Sequence, residues 1–172
     1  QRNQFLPELA NADLEFAQGF SEPNAGSDLA SLQTRAVKDG DDFVFNGQKI
    51  WTSTAHHPLA RWGHMLVRTD PDAVKHRGIS YFFIDMHSPG ISLRPLYDML
   101  GRRRWSEWFL EDVRVPAENL IGELNRGWYA AMTSCKKGRP AAACDCRPRP
   151  TIRSSVPCRA AFIIRRGRTS AA

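Results

Sequence analysis

Cysteine is absent from the first 134 residues of this 172-residue chain: Cys135, Cys144, Cys146 and Cys158 all lie beyond them. The bulk of the chain therefore has no disulfide framework. No apolar run approaches the ~18 residues that a membrane span needs, and the start shows no signal-peptide pattern. The body reads as soluble and cytoplasmic. An excess of positive charge is missing from the same stretch. The formal net charge is +6, yet residues 1–134 hold 14 Lys and Arg against 17 Asp and Glu, while residues 135–172 hold 10 against 1. Nucleic-acid or anionic-surface binding, which such a charge would suggest, has no footing outside the tail. There is no internal repeat. The hydrophobic content of 42% suffices for one core, and the length allows a single domain with ragged flanks.

What is present begins with Gly19-Phe20-Ser21-Glu22-Pro23-Asn24-Ala25-Gly26-Ser27-Asp28. Pro23 fixes φ and forbids a central strand, and Gly26 permits backbone that other residues do not adopt. Ser21 and Ser27 flank them with hydroxyls that donate and accept. Such a loop can cradle a phosphate or the polar edge of a ring. It also reads as an ordinary Ser/Pro/Gly turn.

A second segment, Gly47-Gln48-Lys49-Ile50-Trp51-Thr52-Ser53, separates the two readings. The first stretch resembles the T-E-P-x-A-G-S-D motif of the acyl-CoA dehydrogenase family, with Ser21 in place of Thr. The second resembles that family's G-x-K-x-W-[IT]-[TS]. Gly78 to Pro89-Gly90 and Asp112-Val113-Arg114-Val115-Pro116-Ala117-Glu118-Asn119 follow in the family's order. The resemblance covers Gln1 to Ser134 and stops there.

The pattern along the chain suits a mainly β domain. From Leu32 the hydrophobic period shifts toward two, and Thr34–Lys38 leads through an Asp39–Asp42 turn into Phe43-Val44-Phe45. Asn46-Gly47 is a strong hairpin signal because both residues tolerate positive φ, so a turn is expected there. Further strands are expected over Gly63–Thr69, Gly78–Asp85, Ile91–Leu96 and Trp105–Val115, with Trp108, Leu110 and Val113 facing inward. Short strands separated by Asp, Gly, Pro and Asn indicate a sandwich or barrel. Gly127–Met132 opens a helix that Lys136–Pro140 breaks as it starts. The resemblance makes the fold the family's middle β-barrel. It gives three parts: 1–17, the end of an N-terminal helical domain; 18–122, the flavin- and acyl-CoA-binding barrel; and 123–134, the start of a C-terminal helical domain. Composition, not resemblance, marks 135–172 as an anomalous basic tail, frameshifted or disordered.

The resemblance also implies a chemistry: α,β-dehydrogenation of an acyl-CoA thioester, with hydride passing to N5 of FAD and electrons then to an electron-transferring flavoprotein. It implies a homo-oligomer with FAD across an interface. Trp51 takes the position that packs on the isoalloxazine ring, with Thr52 beside it and Ser53 at N5. Ser21 takes the pyrimidine end, and Gln18, Gly19 and Phe20 supply backbone along the ring edge. Ser27 meets the pyrophosphate and the acyl-CoA. Ser21 keeps a hydroxyl but lacks the stiff χ1 of threonine, so looser positioning is expected, with binding retained. The family's catalytic carboxylate belongs to a C-terminal helical domain. No catalytic residue is therefore assigned, and the chain is expected to be inactive. Glu107, on a loop near the substrate, is the nearest substitute and carries little weight.

The remaining features carry less. Cys144-Asp145-Cys146 with Cys158 lacks the paired spacing of a zinc site, so no metal is assigned. His56 and His57 would point to opposite faces of a strand and read as a loop before Pro58. Arg102-Arg103-Arg104 reads as a solvated turn. The tail, rich in Arg, Ala, Pro, Cys and Ser, cannot bury enough apolar surface to order itself. It reads as missense chain after a frameshift between Met132 and Lys136. Two other readings stay open: a non-catalytic barrel remnant with weak nucleotide binding, and nonspecific nucleic-acid binding through Arg165-Arg166-Gly167-Arg168.

Overall fold

Two long antiparallel strands, β3 (Asp42–Thr52) and β7 (Arg103–Pro116), run along one another at the centre of a single bent sheet. The computed structural model describes residues 2–138. A helix, α1 (Arg2–Ala10), precedes β1 (Phe16–Gly19), and β2 (Arg35–Asp39) forms a hairpin with β3. β4 (Trp62–Arg68), β5 (Ile79–Asp85) and β6 (Ile91–Tyr97) complete the strands, and α2 (Gly127–Gly138) ends the described chain. The order across the sheet is β1-β4-β2-β3-β7-β6, with β5 pairing the other side of β4. The result is a mostly β half-barrel.

Period-two alternation decides what each strand buries. Phe43 and Phe45 on β3, Met65 and Val67 on β4, Phe82 and Ile84 on β5, and Trp108, Leu110, Val113 and Val115 on β7 fill one core. The alternate residues Leu66, Ile79 and Tyr81 face the opposite way, into a second cluster with Phe20, Leu32 and Ala131 of α2. β4 and β5 are thus covered on both faces, which is why they read as nearly continuous apolar runs. Gly127 lets α2 start against them: a Cβ there would lie 2.3 Å from the Tyr81 nitrogen.

The expected strands occur within two residues of their bounds, and Trp108, Leu110 and Val113 are buried. Asn46-Gly47 is a correction. It is no turn but the middle of continuous β3, and the two-residue turn is Gly40-Asp41 between paired Asp39 and Asp42. β7 carries an extra residue opposite Asn46, leaving Asp112 at φ 50°. The Asn46 amide donates to Asp112 Oδ1 and accepts from Asp112 N, both at 2.9 Å. Gly47 is required because Thr34 passes over it: a Cβ would lie 2.7 Å from Thr34 Cα. The pair serves a bulge and a chain crossing.

Glu107 is also corrected. It lies on β7, not on a loop, and is buried, accepting from Gln48 Nε2 and facing Arg94 at 3.9 Å. The described part of the C-terminal helix ends at Gly138, inside the expected Lys136–Pro140 break, but after 12 residues and not just as it starts; lysine is a good helix former. The cysteine cluster from Cys144 and the Arg165–Arg168 cluster lie outside the described residues. Among the described residues no helix is long and apolar enough to cross a membrane, and no group of three or more His, Cys, Asp or Glu side chains could hold a metal ion.

Candidate functional site

The two motif segments meet edge to edge. Ile50 N donates to Ser21 O at 2.9 Å, and Thr52 Oγ1 donates to Gln18 O at 3.2 Å. β1 therefore ends beside the far end of β3, and the loop after β1 starts from that contact.

Trp51 is the most unusual residue of the junction. Between Lys49 and Thr52, β3 has one residue more than the strand opposite, and Trp51 adopts φ 64°. Bulges re-aim side chains. Here Lys49 and Thr52 both point inward, and Trp51 is turned out, 58% exposed, with its ring edge-on to Trp105 at 5.7 Å. A bulky residue at positive φ is a genuine outlier and costs on the order of 1–3 kcal/mol, a strain that accumulates at functional positions. Ser53, next but one in sequence, and Gln18, whose carbonyl meets the Thr52 hydroxyl, are exposed, and Ser21 is half-buried. An outward aromatic face flanked by hydroxyl, amide and backbone groups suits a flat heteroaromatic ligand with a polar edge.

The other expected residues are placed as follows. Gly19 is tight: a Cβ would lie 3.0 Å from Met65 Cβ and 3.1 Å from the Trp108 ring. Phe20 is buried, edge-on to His64 and Tyr81. Thr52 is buried, with its hydroxyl donating to Gln18 O. Ser27 is exposed farther along the loop, ahead of the short 3₁₀ turn Leu29–Ser31.

Beneath this surface lie charges that sequence reasoning did not connect. Lys49, fully buried, donates to Glu22 Oε1 at 2.8 Å and to Phe20 O at 3.2 Å. Glu22 also accepts from Gln33 N at 2.6 Å and Thr34 N at 2.9 Å. Burial pushes the Lys49 ammonium down to about 8, although Glu22 opposes that shift. Burial alone would raise the Glu22 carboxyl, but Lys49 and the hydrogen bonds hold it below its ordinary value. Burial also pushes His64, whose Nδ1 lies 2.7 Å from the Tyr81 hydroxyl, down to about 4. A signal for the pair did exist: Lys49 falls on the inward parity of Phe43 and Phe45, where a charge needs a partner.

Comparison with known proteins points one way. The family model "Acyl-CoA dehydrogenase, middle domain" matches residues 17–113. Acyl-CoA dehydrogenase FadE34 of Mycobacterium tuberculosis is 48% identical over 143 residues, covering 83% of this chain and 20% of that protein. The solved "Tcur3481-Tcur3483 steroid ACAD G363A variant" superposes with a TM-score of 0.76 at 41% identity, covering 81% of this chain and 36% of that one. The ChsE4-ChsE5 complex from Mycobacterium tuberculosis superposes with a TM-score of 0.72 at 45% identity, covering 79% and 34%. The chain thus spans a fifth to about a third of the proteins it resembles.

Proposed function

Because the chain belongs to the acyl-CoA dehydrogenase family, we propose that it is the flavin-facing middle portion of an FAD-dependent enzyme acting on an acyl-CoA thioester. Residues 18–122 form the cofactor- and substrate-binding barrel, and 1–17 and 123–134 are the adjoining edges of helical domains. The observation that carries this reading is Trp51, turned outward on a strained bulge at the seam of the two motifs.

When bound, FAD supplies the acceptor, at N5, for the β hydrogen of the thioester. Trp51 would lie against the ring, with Ser53 at its N5 edge and the Thr52 backbone between them. Ser21 would take the pyrimidine end, with the backbone of Gln18, Gly19 and Phe20 along the edge. Ser27 would meet the pyrophosphate and the incoming acyl-CoA. Electrons would leave to an electron-transferring flavoprotein, from a homo-oligomer in the cytoplasm.

The reaction also needs a carboxylate within reach of the α proton. Glu22 is held by Lys49, Gln33 and Thr34, and Glu107 by Gln48 and Arg94. Neither is available as a base, and we assign none. The 172-residue chain by itself is therefore expected to bind FAD weakly and not to turn over.

The test is to titrate the purified chain with FAD, then add an acyl-CoA series and an artificial electron acceptor. The series includes alicyclic thioesters, since one solved relative is a steroid ACAD. A perturbed flavin spectrum that disappears in Trp51→Ala supports the site; a folded protein that leaves FAD unperturbed rejects it. Turnover abolished by Glu107→Gln would overturn the missing base.

A further inference from the structure

The loop from Phe20 to Thr34 carries Ser21 and Ser27, yet between β1 and β2 it has almost no sheet pairing of its own. Its backbone is instead held by three charged side chains that are 9% exposed or less. Lys49 Nζ, from β3, binds Phe20 O at the loop's start. Glu22 reaches across to Gln33 N and Thr34 N at its end. Arg68, from β4, donates through Nη2 to Ala30 O at 2.6 Å and through Nε to Leu32 O at 3.4 Å. Its Nη1 donates to Lys75 O at 2.5 Å, tying the loop to the β4–β5 connection. The ion pair between Glu22 and Lys49 links the two ends.

We propose that Glu22, Lys49 and Arg68 form a buried brace that pre-sets this loop before any ligand arrives, and so act as positioning residues for the surface bearing Ser21 and Trp51. Three observations carry this. First, burying a charge is tolerated only with a partner and hydrogen bonds, and Glu22 has three donors around it. Second, all three reach loop backbone outside the strands: Lys49 at Phe20 O, Glu22 at Gln33 N and Thr34 N, and Arg68 at Ala30 O and Leu32 O. Third, the Lys49 side chain leaves β3 two residues before Trp51, so the brace and the bulge share one strand segment. A loop fixed in advance avoids ordering costs on binding. That the surface receives a flavin rests on the function proposed above; the brace itself does not.

The test is hydrogen exchange on the full chain, comparing Lys49→Met, Glu22→Gln, Arg68→Met and the double variant Lys49→Met/Glu22→Gln. In the single Lys49 and Glu22 variants the amides of Gln33, Thr34 and Ile50 should lose protection by about tenfold or more. Amides of β4 and β5 within the core should keep theirs. The double variant removes both charges of the Glu22–Lys49 pair together and should recover part of each single loss. Arg68→Met should expose the amides of Ser31 and Leu32. Uniform loss throughout the sheet would reduce the three to ordinary stabilising residues and overturn the proposal, as would unchanged protection or strictly additive losses. FAD titration of the same proteins separates the two questions. If the unsubstituted chain leaves FAD unperturbed, the flavin reading fails, while the exchange pattern still decides the brace.

Discussion

Trp51 carries its strain in the backbone, which makes the strain measurable without a ligand. At φ 64° any side chain with a Cβ is penalised, and glycine is not. Trp51→Gly should therefore be more stable than Trp51→Ala by about 1 kcal/mol in urea denaturation of the full chain. Equal stabilities would mean that the bulge relaxes once the indole is gone. His64 offers a second residue-level test. Its folded pKa of about 4 lies below the ordinary 6.5, so the unfolded chain takes up a proton first as pH falls. Stability should be intact above pH 6.5 and lost between 6.5 and 4, by on the order of 3 kcal/mol. His64→Gln, which can still accept from the Tyr81 hydroxyl, should flatten that slope; an unchanged slope would mean that other groups cause it. Lys49 tilts the other end of the scale. With its pKa lowered from 10.5 to about 8, it adds stability as pH rises through that window, because the folded form sheds the buried charge first.

At the scale of elements, β3 shows what local signals convey and omit. Gly47→Ala should cost about 2–4 kcal/mol, since Thr34 crosses where the methyl would go and φ is +150°. Asn46→Ala should cost only about 1 kcal/mol, because its two bonds to Asp112 are exposed. Denaturation midpoints of the two variants should differ accordingly, and a reversed order would restore a turn at this position. The alternation of Phe43 with Phe45 and of Trp108 with Leu110 was legible because it depends on period two alone, whereas the step of three from Leu110 to Val113 crosses the bulge at Asp112. The Asn46-Gly47 conformation was not, because Thr34 and Asp112, which decide it, are distant in sequence. The four residues of β1 were missed for a similar reason: their hydrogen bonds depend on parallel pairing with β4, some 45 residues on. Within the candidate site, the choice of Trp51, Ser53 and Ser21 came from the resemblance, and the spectrum of bound FAD in Trp51→Ala is its test. The inward turn of Thr52 and the closure of Glu22 on Lys49, Gln33 and Thr34 needed the folded geometry.

For the molecule as a whole, the open question is what covers its outer apolar groups. Tyr97, Met99 and Leu100 at the β6–β7 tip are 64%, 103% and 74% exposed, Val74 is 76% exposed and Tyr129 is 54% exposed. Single exposed apolar residues are normal, but three adjoining a hairpin tip form a patch, and patches associate. Nothing among the described residues covers this tip. The chain's average sedimentation coefficient should therefore rise with concentration. Replacing Met99 and Leu100 together with lysine should reduce that rise while leaving the thermal midpoint nearly unchanged, because neither side chain is packed in the described cores. If the unsubstituted chain stays monomeric at high concentration and melts sharply and reversibly, the patch is not an association surface. The half-barrel would then be a self-sufficient folding unit whose stability comes from its two cores alone.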